Sequence, residues 1–323
     1  MAQPDAPTIV RPEEKTSPAR RATVVAWVCL LIVYVVWGST YLAIRVGVET
    51  MPPLLMAAAR NLVAGLIMFP LALRSRRTAV RTGQVARFWP GRAEWIGCAT
   101  VGVLLLVANG AVGVGEKTVP SGLAALLVAT VPLWLIGIDA ALNHARLGLA
   151  PVAGLVLGLV GVGLLSGLGG GSGRISAVGV VIILGAALMW ALGTIMARRA
   201  TIPSSPALAS GKELLCGGAA LLALGAAGGE FGALHLAGVS WRSWLALGYL
   251  IVIGSIVAFS AYGIAVRALP TATVATYAYV NPVIAVLLGT LILGERLTPA
   301  MFGGGALIVG AVVLVVRRSP PAH

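Results

Sequence analysis

The chain has 323 residues, of which 59% are hydrophobic and only 10% are charged, and its formal net charge is +13. Soluble domains carry about 25% charged residues. This composition therefore excludes an ordinary water-soluble protein and predicts an integral membrane protein. A strongly positive charge is also typical of nucleic-acid-binding proteins. Here, however, the arginines lie between apolar runs without interleaved aromatic residues, so we expect no nucleic-acid partner and attribute the charge to membrane topology.

In chain order, residues 1–22 are polar and predict a disordered tail. Ten apolar runs follow, each about the length that a helix needs to cross a bilayer. A short C-terminal tail, 319–323, ends the chain. The sequence thus predicts an all-α integral membrane protein of about ten transmembrane helices. These predicted spans are approximately 24–46, 53–73, 94–115, 120–141, 150–168, 176–197, 207–228, 243–266, 270–293 and 299–316.

The orientation of the spans follows from the positive residues, which are enriched in cytoplasmic loops of membrane proteins. With the N-terminus inside, sixteen Arg and Lys residues lie in cytoplasmic segments and five lie in outer segments. The remaining two, Arg60 and Lys212, lie within spans. An even number of spans returns the chain to its starting side, so both termini are predicted to be cytoplasmic.

The two halves of the chain resemble each other. Trp37, in VVWGST, recurs 153 positions later as Trp190, in ALMWALGT. Each half, 23–168 and 174–318, contains five predicted spans, and an odd number makes the second half cross the membrane in the opposite sense. Inverted repeats are typical of secondary transporters with a midplane site, although a duplicated inert bundle is the alternative. Three further residues recur 150 positions later: Pro120, Pro132 and Arg146, as Pro270, Pro282 and Arg296.

Ionisable residues inside apolar spans are expensive to bury and often functional. The repeat aligns Arg60 with Glu213 or Lys212. A carboxylate such as Glu213 can carry a coupling proton; alternatively, Lys212 neutralises it or Arg60 ties it structurally. The candidates for a coupling site are Glu213, Lys212 and Glu116. For Glu116, which lies in GEKTVPSG, the alternative is a solvated interfacial residue.

Polar and aromatic side chains form a second group of candidates for a substrate cavity. Buried hydroxyl and amide groups need hydrogen-bond partners, which either neighbouring helices or a ligand can supply. The prolines Pro132 and Pro282 predict helix interruptions nearby. The cavity candidates are Arg60, Trp37, Ser39, Thr40, Tyr41, Asn109, Tyr277, Tyr279 and Asn281.

Other sequence patterns limit the function. The three cysteines lie far apart, and no metal-binding spacing, phosphate-binding loop or Ser/His/Asp arrangement is evident. We therefore expect no metal, no cofactor and no enzymatic activity. Small residues spaced by four, at Gly154 and Gly158 and at Ala306 and Gly310, predict packing faces within the bundle or in a homodimer.

Three segments carry a family resemblance: YVVWGSTYLAIRVGVETMPPLLMAAAR, VPSGLAALLVATVPLW and TYAYVNPVIAVLLGTLILGERLTPA. They resemble EamA-type members of the drug/metabolite transporter superfamily, and among these the YedA-like group. The resemblance spans about 26–316. It implies two EamA repeats, ten spans in a bacterial inner (plasma) membrane, and a central cavity. It also implies export of metabolites or amino-acid-like compounds.

The leading hypothesis is therefore a secondary active exporter that works by alternating access, with protons as the coupling ion. A flippase-like carrier of amphipathic or lipid substrates is the first alternative. A membrane-embedded enzyme on lipid-linked substrates would show carboxylates or histidines clustered in interfacial loops, which this sequence lacks. A purely structural subunit would not need polar residues at matching depths in the two halves.

Overall fold

The computed structural model describes residues 18–82, 88–142, 149–165, 176–203, 205–269, 274 and 276–318. Within these ranges every regular element is helical. The first half contains α1 to α6: Pro18–Gly47, Pro53–Arg81, Arg92–Glu116, Ser121–Val128, Val131–Leu142 and Leu149–Leu165. The second half contains α7 to α13: Ala177–Arg199, Pro206–Ala227, Glu230–Ala233, Trp241–Tyr249, Ala258–Ala268, Tyr277–Leu293 and Pro299–Arg318. A 3-10 turn, Leu236–Gly238, precedes α10, and a π-helical segment, Leu250–Val257, joins α10 to α11.

The described residues contain seven helices that are long and apolar enough to cross a membrane, judged by length and composition. These are Thr23–Gly47, Pro53–Thr78, Arg92–Glu116, Ser121–Leu142, Ala177–Arg199, Ala207–Ala227 and Trp241–Tyr262. Three shorter apolar helices accompany them: Val152–Val162, Val280–Leu293 and Pro299–Ala311. The predicted all-helical membrane protein is confirmed.

The two predicted proline interruptions differ. Helix α4 ends at Val128 and α5 begins at Val131, next to Pro132. Proline has no N–H to donate to the carbonyl four residues earlier, which favours a helix break there. Thr130 stabilises the break by donating its hydroxyl to the Leu127 carbonyl oxygen at 2.7 Å. Helix α12, by contrast, continues through Pro282.

Each half packs chiefly against the other half. Helix α2 lies along α8, α6 along α13, and α3 along both α7 and α8. Helix α1 contacts α10, α11 and α12, and α4 contacts α7 and α12. The core is therefore a set of interfaces between the halves. The small-residue face at Gly158 is used within the chain, because a Cβ there would lie 2.2 Å from Leu133 Cδ1 and 3.8 Å from Ala311 Cβ.

Helices α2 and α8 approach closely at two equivalent glycines. A Cβ on Gly65 would lie 2.9 Å from Leu215 Cγ, and one on Gly218 would lie 2.9 Å from Leu62 Cγ. Each residue of one pair lies 153 positions from its counterpart in the other. Residue numbers rise along α2 as they fall along α8, so the two helices run antiparallel. Glycine is needed at both contacts because the backbones leave no room for a side chain.

The bundle has two ends, which we name by their buried charged residues. At the Glu116 end, α1 and α3 finish and α2 begins; Thr50 there donates a hydrogen bond to Ser243 Oγ at 2.7 Å. At the Lys212 end, α3 begins and α8 has its first turns, and Lys212 Nζ lies 3.6 Å from Glu94 Oε2.

Candidate functional site

Arg60 lies at the junction of the two halves. Its side chain projects from α2 and the residue is only 5% exposed. Its Nε donates to Ser255 Oγ at 2.9 Å, and its Nη1 donates to Asn109 Oδ1 at 3.2 Å. A Cβ on Gly254 would lie 3.4 Å from Arg60 Nη2 and 3.2 Å from Thr40 Cγ2. These five residues, from α1, α2, α3 and the π-helical segment, form what we call the Arg60 cluster.

An aromatic cluster lies one helical turn away along α1. The Trp37 ring lies 5.7 Å from the Phe259 ring, 5.1 Å from Tyr262 and 5.2 Å from Tyr277, measured between centroids. Edge-to-face geometry, which aromatic pairs favour, describes the Phe259 and Tyr277 contacts. Trp37 is three residues before Thr40, and Phe259 is four after Ser255. The aromatic cluster and the Arg60 cluster are therefore adjacent layers between the halves.

Hydroxyl groups of α1 make further contacts. Ser39 Oγ lies 2.6 Å from Tyr249 Oη, across the interface between the halves. Thr40 Oγ1 donates to the Trp37 carbonyl oxygen at 2.6 Å. Tyr41 differs, because it packs against two apolar clusters that contain residues of α3, α4 and α7. The predicted group Trp37–Tyr41 is thus divided between two faces of one helix.

Helix α12 contributes Tyr277 and Asn281. With its amide oriented to satisfy both acceptors, Asn281 donates to the backbone oxygens of Tyr277 at 3.1 Å and Tyr34 at 3.2 Å. The Tyr34 hydroxyl is also hydrogen-bonded to the Thr276 hydroxyl. The Asn281 side chain therefore links its own helix, α12, to the backbone of α1. The side chain of Tyr279 lies outside the described residues.

Lys212 and Glu213 have separate surroundings. Lys212 is fully buried, with Nζ 3.6 Å from Glu94 Oε2 and 4.8 Å from the centroid of the Trp95 ring. Arg76 Nη1 lies 3.4 Å from the same Glu94 oxygen. Among the described residues, neither Lys212 nor Arg60 forms an ion pair with Glu213. Within the described ranges, the ion-pair partner of Lys212 is therefore Glu94, and no Arg60–Glu213 ion pair is present.

Glu213 is half-buried and lies where α8 contacts α3. A Cβ on Gly102 would lie 2.7 Å from Glu213 Cα. The equivalent contact under the repeat is the close approach of Gly254 to Arg60. Gly254 lies 152 positions after Gly102, and Glu213 lies 153 positions after Arg60. The sequence repeat therefore aligns Arg60 and Glu213, and both lie beside a glycine of the opposite half.

Glu116 is completely buried at the end of α3, so the alternative of a solvated interfacial residue is wrong. Its two carboxyl oxygens have no hydrogen-bond partner among the described residues. The Arg45 guanidinium donates to the Glu116 backbone oxygen and, within the part of the chain that the structure describes, forms no ion pair with the Glu116 carboxylate. The end of α3 at this point also packs on α7, since a Cβ on the neighbouring Gly115 would lie 2.4 Å from Ile183 Cγ1.

The sequence analysis missed two carboxylates that cap helices across the interface. Glu230 accepts from the backbone N–H of Leu54 at 3.3 Å and of Leu55 at 2.9 Å, at the start of α2. Glu295 caps α4 in the same way through Ser121 and Gly122. Both carboxylates belong to the second half and both capped helices to the first.

A sequence signal for these caps exists. Gly229 and Gly294, which immediately precede Glu230 and Glu295, have φ angles of 74° and 66°. Glycine adopts this left-handed conformation at little cost, and it commonly ends a helix. At these two positions the Gly-Glu sequence therefore turns the chain and places the carboxylate at the bundle end, whereas the Gly115–Glu116 sequence remains within α3. A carboxylate is stabilised there by the free N–H groups of a helix N-terminus.

Comparisons with known proteins agree with this architecture. The chain matches the EamA-like transporter family over residues 25–167 and again over 177–317. It is 39% identical to the inner membrane transporter YedA of Escherichia coli over 289 residues, 88% of this chain and 89% of that protein. It is 27% identical over 294 residues to an Escherichia coli protein named "probable amino-acid metabolite efflux pump", covering 90% of this chain and 94% of the other.

The fold also occurs in a solved structure. A crystal structure with 22% sequence identity superimposes with a TM-score of 0.56, over 91% of this chain and 96% of that one. The two family matches cover nearly all of both halves. The chain belongs to the EamA-like transporter family, within its YedA-like group, and is a multi-pass membrane transporter of the bacterial inner membrane.

Proposed function

We propose that this protein is a secondary active exporter of small metabolites or amino-acid-like compounds, which works by alternating access between two inverted repeats of five spans. The observation that carries the proposal is the Arg60 cluster, a buried polar group built from both halves. Secondary transporters bind substrate where their repeats meet. The export direction and compound class are suggested by the name of the Escherichia coli efflux pump.

Several packing features support the inverted repeat. Helices α2 and α8 are equivalent under the 153-residue offset, yet they run antiparallel. The contacts also exchange between halves: α1 contacts α11 as α7 contacts α3, and α1 contacts α12 as α7 contacts α4. A pseudo-twofold axis in the membrane plane has this consequence. Ten spans then follow if the three shorter apolar helices and the seven long ones divide equally between the repeats.

The proposed substrate path runs between the aromatic cluster and the Arg60 cluster. Ser39, Asn109 and Asn281 are its polar boundary, and Trp37 and Tyr277 its aromatic boundary. Glu213 and Glu116 are the candidates for a coupling proton, one toward each end of the bundle. Lys212 is instead given a stabilising role, because its ammonium group contacts the Glu94 carboxylate.

The experiment is export from cells combined with reconstitution. Cells that overproduce the protein are screened by mass spectrometry for metabolites that accumulate in the medium, and each hit is tested for transport in proteoliposomes with and without a pH gradient. Export that depends on the protein, and transport that responds to the gradient, would support the proposal. Transbilayer movement of labelled lipids with no metabolite transport would favour the flippase-like alternative.

A further inference from the structure

Arg60 is a buried positive charge whose described hydrogen-bond partners are both neutral. Ser255 and Asn109 accept from its guanidinium, and no carboxylate of the described residues lies within ion-pair distance of it. Lys212 is the other cation within a predicted span, and its ammonium group lies beside the Glu94 carboxylate. A charge taken out of water is unfavourable unless it is paired. Among the described residues, Arg60 therefore lacks the counter-charge that its burial calls for.

The geometry leaves part of the guanidinium free for a ligand. Arginine has five N–H donors in a planar fork. Ser255 and Asn109 occupy one donor of Nε and one of Nη1, and the Nη2 group lies against Gly254, where no side chain is present. Gly254 belongs to a π-helical segment, an element that often marks functional sites. The Nη1 and Nη2 edge is the part of arginine that binds a carboxylate with two parallel hydrogen bonds.

Charge and shape select the class of anion. The Arg60 cluster supplies one positive charge, which matches one carboxylate better than a phosphate dianion. The four aromatic rings one turn away are each only half-buried, so they retain surface for an apolar or aromatic part of the same molecule. We propose that Arg60 binds the carboxylate of the transported compound, and that this contact makes the protein select monocarboxylic acids with an apolar body over their uncharged analogues. This inference rests on the proposed transport function.

The test uses the full-length protein in detergent and a panel of amino acids and short aliphatic and aromatic monocarboxylic acids, each paired with its carboxamide. Binding is measured by the ligand-dependent rise in Tm. Acids should bind the wild-type protein about 10-fold or more tightly than the matching amides, because hydrogen bonds to charged groups are the stronger ones. Equal binding of acids and amides, no response to any acid, or a preference for inorganic phosphate would overturn the inference.

Asn109→Asp is the decisive variant. It places a carboxylate next to Arg60 with almost no change in shape, so the guanidinium gains an internal partner and the protein should remain folded. The preference for acids should then disappear, and Arg60→Lys, which keeps the charge but not the fork, should reduce it. Arg242→Gln, an exposed arginine at the start of α10, is the matched control and should retain the preference. Acid selectivity that survives Asn109→Asp would contradict the role of Arg60.

Transport assays separate this inference from the function on which it rests. Proteoliposomes that transport acids and amides equally, with no effect of Asn109→Asp, would leave the transporter intact and refute the carboxylate site. Proteoliposomes that move none of the bound acids, while binding still discriminates acids from amides, would refute transport of these compounds and retain the site.

Discussion

The carboxylate of Glu295 accepts hydrogen bonds from both the backbone N–H and the hydroxyl of Ser121, at 2.7 and 2.9 Å. A third bond comes from the backbone N–H of Gly122, at 3.1 Å. One side chain of the second half thus satisfies the first turn of α4, whose N–H groups have no partner inside the helix. This contact joins the segment after α12 to the fourth predicted span.

Glu295→Ala should lower the free energy of unfolding by about 1–2 kcal/mol, because it removes an acidic cap from a helix N-terminus. The measurement is unfolding of the purified protein in mixed micelles by added denaturing detergent. Glu49→Ala is the control, since Glu49 is an exposed acidic residue just beyond α1. Equal stability of the two variants would mean that water replaces the Glu295 cap without loss.

Glu230→Ala should loosen the start of α2. The N–H groups of Leu54 and Leu55 lose their acceptor, so their amide hydrogens should exchange about 10-fold faster, the result of a local opening about 1.4 kcal/mol easier. Hydrogen-exchange mass spectrometry of a peptide covering 53–60 measures this. The peptide from the start of α4, where Glu295 remains, serves as the internal reference. Unchanged exchange at Leu55 would contradict the cap.

The equivalence of Gly65 and Gly218 predicts matching effects of the same substitution. Gly65→Val and Gly218→Val should each destabilise the protein by about 1–3 kcal/mol, because each added side chain meets a leucine of the opposite helix. Gly185→Val is the comparison, since a Cβ on Gly185 would meet nothing within 4 Å. A large effect at only one of the two positions would indicate that the α2–α8 interface is not symmetric in energy.

Glu213→Gln should abolish substrate flux driven by a pH gradient. Exchange of substrate across the membrane without a gradient should be unchanged. The amide keeps the size of the side chain but cannot bind and release a proton. The same measurement on Glu116→Gln distinguishes which carboxylate couples. Gradient-driven flux that persists in both single variants would exclude each as the sole proton site.

Membrane orientation is testable with cysteine labelling. In a variant whose three native cysteines are replaced, Lys117→Cys at the Glu116 end should react with a membrane-impermeant maleimide in intact cells, whereas Arg81→Cys should not. Permeabilised cells should label at both positions. The reverse pattern would invert the topology that the distribution of Arg and Lys predicts.

The helices were largely predictable because crossing a membrane requires long apolar helices with internal hydrogen bonds. Arg60 and Asn109 were also identifiable, because polar groups in apolar spans are conspicuous. Ser255, Phe259 and Tyr262 were not identified, since their part in the site depends on which helix face meets α1. That pairing is a tertiary property.

The sequence segment Trp37–Tyr41 illustrates the same limit. Adjacent residues of an α-helix point about 100° apart. Trp37 and Thr40, three residues apart, share a face toward α11 and the π-helical segment before it, whereas Tyr41 turns toward α4 and α7. This run of polar and aromatic residues therefore contains both candidate site residues, Trp37 and Thr40, and a residue that packs in the apolar core, Tyr41. Glu116 was ambiguous for a related reason, since its burial depends on how the end of α3 packs in the folded protein.

Because of the acidic caps, the contacts that hold the two halves together differ between the two ends of the bundle. Ala145 occupies the position that corresponds to Glu295 under the 150-residue offset, and Arg77 the one that corresponds to Glu230 under the 153-residue offset. Separating the halves at the Glu116 end requires five hydrogen bonds to charged caps to break. At the Lys212 end, the described charged contact between the halves is the single Lys212–Glu94 pair. A protein with symmetric architecture would then have a preferred resting state. If the predicted topology holds, that state would be open toward the cytoplasm, the side from which an exporter takes up its substrate.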